Sequence, residues 1–364
     1  MKPSAQVTTY LSFRVYGLTF LLLHNAGTKE MSRGKKASAN KKTAVQRQKR
    51  ICHYLLLPGE NGTPVTDFVK GLAGEIMCDR DPVGQTQALD TPPASFIESV
   101  KHILFRVTNM PLGVLESGYC FQSLQLENIV VTDYYEIPKL VVDNLEKRTA
   151  KGTKANLTAL ADMLHQLVGE ASAKYHTDKD INPEFKHLLQ HIKGYQQGDP
   201  FFLMRYNVCY VPLENRPFLY VEMYDYVMDI LRYTNPEALQ FVISNLSYPL
   251  DWNVQLLNNS YLVWSFGRSR YDPQATRFPA ETDPRLEPLS YHRNGPAHPL
   301  EDSADPAAEH GMASTRADVA HRFYFLFLDL MSSMQTNLHY IGALCHLGTE
   351  KLFPFQVRKT GRQQ

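Results

Sequence analysis

Close-spaced cysteine pairs are missing from this chain. The five cysteines, Cys52, Cys78, Cys120, Cys209 and Cys345, are far apart and odd in number. The absence of CxxC excludes a zinc ribbon. So sparse a set does not build the disulfide framework of a small secreted domain, and a reducing compartment fits better. Signatures of nucleotide and hydrolytic chemistry are missing too. There is no GxxxxGK[ST] phosphate loop, no GxGxxG after a strand and no GxSxG elbow. Gly198-Asp199 runs into Pro200, so the paired aspartates of an RNA polymerase metal site are absent. The apolar run at 15–23 is far too short to cross a bilayer, so no membrane span is expected. Net charge is missing as well. With 38 Lys and Arg against 37 Asp and Glu, the molecule as a whole carries no strong field.

What is present is a globular composition, 43% hydrophobic and 21% charged, in 364 residues, enough for one large domain or two ordinary ones. The charge is unevenly placed. Residues 31–50 hold eight cations, Arg33, Lys35, Lys36, Lys41, Lys42, Arg47, Lys49 and Arg50, and no acid. Such a run repels itself and buries almost nothing, so it is expected to be a disordered basic arm. Before it, 15–23 resembles the apolar core of a signal peptide, with Lys2 and Arg14 preceding and Ala26 following. Residues 1–30 are therefore a targeting-like segment, a packed helix, or an upstream extension ahead of a start at Met31. The sequence leaves these open.

From 51 to 271 helical periodicity dominates, and a helical body is expected. Ser95 and Glu98 fit a capping box for a helix over 96–107, with Pro111 as its stop. Residues 124–131 read as a strand or a short buried helix, and 137–145 as a helix with Pro138 in its first turn. The segment 147–156 reads as a basic connector, and 157–173 as an amphipathic helix. Asn182-Pro183-Glu184 and Asn235-Pro236-Glu237 each open a helix, the first closed by Gly194 and the second running to 245. Residues 201–211 read as a strand, 218–233 as a Tyr- and Met-rich helix, and 252–266 as strand-like or irregular. Prolines at 273, 279, 284, 288, 296, 299 and 306 mark 272–316 as an insertion, either an exposed loop or disordered. Residues 317–364 comprise a long core helix over 318–346, with candidate breaks at Ser332-Ser333 and Gly342, and a basic tail. The fold class expected is mainly α with a few short strands.

Candidate chemistry is thin. His187 and His191 lie four apart on a predicted helix and would share a face, as metal ligands do, but Leu188 stands where a zincin has Glu. The plainer reading is two polar residues beside a leucine stripe. Glu222, Asp225 and Asp229 share another face, as a cation or acid/base site would require, or as a solvated face would supply. Cys209 lies in an apolar run and reads as a small buried residue. No catalytic residue, metal or cofactor is expected. Tyr220, Tyr224 and Val227 share one face that suits either an oligomer contact or an ordinary core. The arm is the feature that departs furthest from an ordinary globular chain. Its cations can neutralise phosphates and release counterions, which gives RNA binding without sequence preference. It holds no aromatic, so base stacking would have to come from elsewhere. A nuclear localisation signal, a tether to anionic membrane and a solubilising tail are the rival readings.

The layout of a basic arm at 31–50, a helical body across 96–266, a Pro-rich excursion at 272–316 and an aromatic helix at 318–346 resembles the capsid proteins of small double-stranded RNA viruses of the partitivirus and picobirnavirus type. The resemblance implies a helical shell-type domain, a protruding element near 272–316, homodimers that assemble further, an inward arm on RNA, and a place in the virion or host cytoplasm. Two alternatives remain: a nucleoprotein that closes no shell, and an intracellular enzyme whose pocket would gather His187, His191, Glu222 or Asp225.

Overall fold

The computed structural model describes residues 14–15, 18–19 and 54–353, apart from 57–58, 72–76, 79–94, 133–136, 142–144, 172–181, 259–261, 264–284 and 298–315. The chain divides into two units, residues 1–46 and 47–364. In the first, the described residues are two short antiparallel strands, β1 (Arg14–Val15) and β2 (Leu18–Thr19). The second is mainly α, as the periodicity requires, with a few strands of two to four residues.

Its chain order begins with β3 (Gly62–Pro64), α1 (Val65–Lys70), β4 (Met77–Cys78) and β5 (Ser95–Phe96). Next comes α2 (Glu98–Glu116), which runs straight through Pro111, the residue expected to stop it. A proline inside a helix costs about 3 kcal/mol or more. Leu112, Val114 and Leu115 beyond it are fully buried, and each such side chain contributes about 1.5–3 kcal/mol. Burial therefore wins. Ser95 does not cap this helix but sits in β5, paired with Cys78, and Ile97 takes the cap position without a side-chain bond.

The strands follow: β6 (Tyr119–Phe121), β7 (Ile129–Thr132), β8 (Pro138–Leu140) and β9 (Leu145–Lys147). Antiparallel β3, β7 and β8 form one sheet in that order, with Thr63 opposite Val131 and Ile129 opposite Leu140. A Cβ on Gly62 would lie 2.7 Å from the Val131 carbonyl oxygen, so this pairing needs glycine there. The helix expected over 137–145 is thus two strand segments. Pro138 and Leu140 face inward and Lys139 outward, an alternation that β7 rewards with a partner.

Helices then dominate. Helix α3 (Ala150–Ala171) starts seven residues before 157 and absorbs most of the expected connector; its stripe Leu157, Leu160, Ala161, Leu164, Leu167 and Val168 is buried. Helix α4 (Pro183–Lys193) begins as read. The Asn182 Oδ1 accepts from the amides of Glu184 (2.9 Å) and Phe185 (3.3 Å), and Gly194 closes the helix. The expected strand over 201–211 is instead a short helix, α5 (Phe202–Arg205), followed by a single 3₁₀ turn (Val208–Tyr210) capped by Asn207. Nearly all of its apolar side chains are buried, so composition mimicked a strand where tertiary burial was the cause. Helix α6 (Arg216–Asp225) continues through a π-helical Tyr226–Leu231 to Thr234. Helix α7 (Pro236–Ser244) is capped by Asn235, whose side chain accepts from the Ala238 amide at 3.1 Å. A single turn, α8 (Trp252–Gln255), follows.

The Pro-rich segment is the main correction. Its described part is helix α9 (Leu286–Ala297), with Pro288, Leu289, Tyr291 and His292 buried. Pro288 lies in the first turn, where its missing N–H has no helical partner to lose. Pro288 thus belongs to a helix start inside the core, not to a surface loop. The rest of 272–316, save Arg285 and Arg316, lies outside the described residues. The expected helix over 318–346 is two, α10 (Arg316–Leu326) and α11 (Leu330–Tyr340). They part at Phe327–Asp329 rather than at Ser332-Ser333, and Gly342 (φ +74°) lies just past the end of α11. Among the described residues no helix is long and apolar enough to cross a membrane.

Helix α9 covers α6 and α10, so its removal uncovers them. Deleting 286–297 takes Leu289 and Tyr291 from the core, a loss of about 3–6 kcal/mol against a total stability of about 5–15. The expected outcome is loss of the cooperative unfolding transition followed by circular dichroism; an unchanged midpoint would show α9 to be dispensable.

Candidate functional site

The eight arm cations, Arg33 to Arg50, lie outside the described residues, so the site is built from the folded body. Its interior holds a cluster of charges. The Arg216 guanidinium, at the first position of α6, grips the Glu184 carboxylate with two nitrogens, Nη1 to Oε2 at 3.0 Å and Nη2 to Oε1. Both side chains are almost wholly buried. Nη1 also donates weakly to the Val208 carbonyl (3.5 Å), and the guanidinium carbon sits 4.6 Å from the Tyr324 ring centroid. Burial pulls the Arg216 pKa down, but Glu184 outweighs it and the net shift is upward. Close by, Lys101 is buried and bonded to Glu98 at 2.7 Å; desolvation lowers its pKa against the pull of Glu98. Burial, and then Glu184, raise the Cys209 thiol well above its ordinary value. Cys209 is buried, which agrees with the reading as a small buried residue.

The two histidines of α4 find hydroxyl partners. His187 Nδ1 lies 3.1 Å from Ser332 Oγ, and His191 Nε2 lies 3.0 Å from Thr336 Oγ1. Each pair is four apart on its own helix, so α4 and α11 run side by side in the same direction. These contacts orient the rings as helix-to-helix bonds. Among the described residues, no group of three His, Cys, Asp or Glu side chains is placed to hold a metal ion. Glu222 reaches Lys351 at 3.4 Å, and the Asp225 carboxyl is raised by burial and lowered by Arg293. The carboxylates of α6 and the histidines of α4 thus have separate partners.

Tyr220, Tyr224 and Val227 are a second correction. All three are buried within this chain. Tyr220 OH donates to the Leu289 carbonyl (3.1 Å), and Tyr224 OH meets Ser290 Oγ (3.3 Å). A contact between copies needs an uncovered face, and α9 covers this one. Exposed apolar side chains lie elsewhere. Leu250, Val254 and Leu257, spaced by four and three, are 94, 58 and 65% exposed, while Trp252 and Leu256 between them are buried.

Two hollows flank the loop 194–201. One, of about 530 Å³, has Gln190, His191, Tyr195, Met204, His339 and Tyr340 on its walls. Burial, with His339 and His187 adding, lowers the His191 pKa to about 4, so its imidazole is neutral at pH 7. The other, also about 530 Å³, is lined by Arg148, Arg205, Tyr195, Phe201, Phe202 and Tyr206, with Glu116, Asp199 and Glu350 among its remaining residues. Sequence reading missed it, because its residues come from positions 116 to 350 and share no spacing. Searches with protein-family models and among curated proteins find no match to this chain.

His292 on α9 gives the core a pH limit. Its ring lies 3.9 Å, centroid to centroid, from that of Tyr220 and 5.4 Å from that of Phe323, and its Nδ1 is buried without a partner. Burial, aided by Arg216, lowers its pKa to about 3. The unfolded chain takes up a proton near pH 6.5 and the folded chain does not. The stability contributed is therefore complete above about pH 6.5 and declines as pH falls toward 3, at up to about 1.4 kcal/mol per pH unit. His292→Phe should flatten the acid limb of a urea-denaturation series between pH 7 and 4. An acid limb as steep as that of the wild type would remove His292 as its source.

Proposed function

We propose that this protein is a coat protein that packages RNA, holding the nucleic acid with its basic arm and associating with copies of itself through its helical body. The observation that carries the reading is the arm itself: eight cations and no acid in twenty residues of a chain whose net charge is only +1. Charge so segregated acts as a separate electrostatic element. Each Lys or Arg that meets a phosphate releases condensed counterions, whatever the base sequence. The exposed Leu250, Val254 and Leu257 support self-association, because an apolar stripe left in water favours cover by another surface. The mainly α body agrees with the helical shell-type domain that the capsid resemblance implies. RNA and a second copy of the chain are the partners proposed, in a virion or the host cytoplasm.

Changing the eight arm cations to glutamine in the full-length chain tests the reading. Nuclease-protected RNA that co-purifies with the protein should fall several-fold, with the helical circular dichroism signal unaltered and particles by electron microscopy emptied or lost. RNA content equal to that of the wild type would refute the role of the arm.

A further inference from the structure

The arm has no aromatic residue to stack on a base, but the folded body has aromatics beside cations. In the hollow lined by Arg148 and Arg205, Tyr195 and Phe201 are buried and form a floor, their centroids 5.3 Å apart. Phe202 and Tyr206, half-buried and 4.9 Å apart, form a wall. The Arg148 guanidinium lies 5.3 Å from the Phe201 centroid and donates to the Leu115 carbonyl, the Thr153 hydroxyl and the Tyr195 hydroxyl. Those partners are all uncharged, so its positive charge is not neutralised by them. Arg205 gives Nη2 to Glu116 (2.9 Å), while its Nε is buried without an acceptor. Carboxylates are also present, but Glu116 is matched by Arg205, and Asp199 and Glu350 are exposed, where water and salt screen them. The hollow thus combines aromatic rings with two guanidiniums, of which Glu116 neutralises one. At about 530 Å³ it falls within the range of small-ligand sites, roughly 300–1,000 Å³.

We propose that this cleft holds one unpaired nucleotide, its base against Phe202 and Tyr206 and its phosphate at the Arg148 and Arg205 guanidiniums. Splayed bases of single-stranded RNA are recognised by aromatic stacking together with guanidinium contacts. That the nucleotide belongs to RNA rests on the function proposed above; the base-and-phosphate chemistry follows from the cleft. The arm and the cleft then divide the work, the arm binding backbone charge and the cleft a single base.

The test uses the full-length chain with its eight arm cations changed to glutamine, titrated calorimetrically with uridine monophosphate, inorganic phosphate and single-stranded hexauridylate at one ionic strength. Saturable one-to-one binding of the nucleotide is expected, tighter than that of phosphate, with hexauridylate displacing it. Arg205→Gln should weaken the nucleotide about tenfold, the equivalent of one charge-assisted hydrogen bond. Phe202→Leu should weaken the nucleotide but not phosphate. Absence of saturable binding, phosphate binding as tight as the nucleotide, no displacement by hexauridylate, or indifference to both variants would each overturn the proposal. Nucleotide binding that persists while RNA retention proves independent of the arm would leave the cleft standing and remove the arm.

Discussion

The contact between Arg216 and Glu184 sets the terms for the rest of the body. Taking a guanidinium and a carboxylate out of water costs several kcal/mol per ion, and only close geometry with further partners offsets it. Here the pair is doubly bonded, and the guanidinium also meets the Val208 carbonyl and the Tyr324 ring. Four stretches of chain must therefore arrive together: the first turn of α4, the turn at Val208–Tyr210, the first residue of α6, and α10. Removing either charge would strand the other in the core. So the pair tolerates few alternative packings, and it fixes where α4 and α6 begin.

Much else follows from those two starting points. With α6 anchored at Arg216, Tyr220 and Tyr224 turn toward α9, where they bond Leu289 and Ser290. With α4 anchored at Glu184 and capped by Asn182, His187 and His191 reach Ser332 and Thr336 on α11. The loop that leaves α4 at Gly194 then runs between the two hollows and supplies Tyr195, Asp199 and Pro200 to both. The hollow with the guanidiniums is thus framed by the same constraint that orders the core.

Local chemistry made part of this legible in the sequence. Asn-Pro-Glu at 182 and 235 marked two helix starts, because an asparagine cap and a first-turn proline act within a few residues of chain. The stripe from Leu157 to Val168 marked the buried face of α3 for the same reason of period. Where the reading failed, a distant partner had overruled local preference. Pro111 does not end α2, because the residues beyond it are buried. Pro288 does not signal a loop, because α9 lies in the core. Residues 138–140 form a strand because β7 offers an edge. The aromatic cleft was illegible, since Arg148, Phe202 and Arg205 gain their meaning only when the fold brings them together. Tyr220, Tyr224 and Val227 were recognised as a face, but the cover supplied by α9 could not be read from α6.

The proposed function divides the labour: a cationic arm for polyphosphate, and a net acidic body that folds around its own buried charges and supplies shape. Its most direct test is the salt dependence of RNA binding by the full-length protein. Each phosphate contacted on a single strand contributes a slope of about −0.7 to log K against log salt, so engagement of all eight arm cations gives about −5 to −6. A slope of that size between about 50 and 200 mM salt is the result predicted. An affinity that stays flat over the same range would contradict the account.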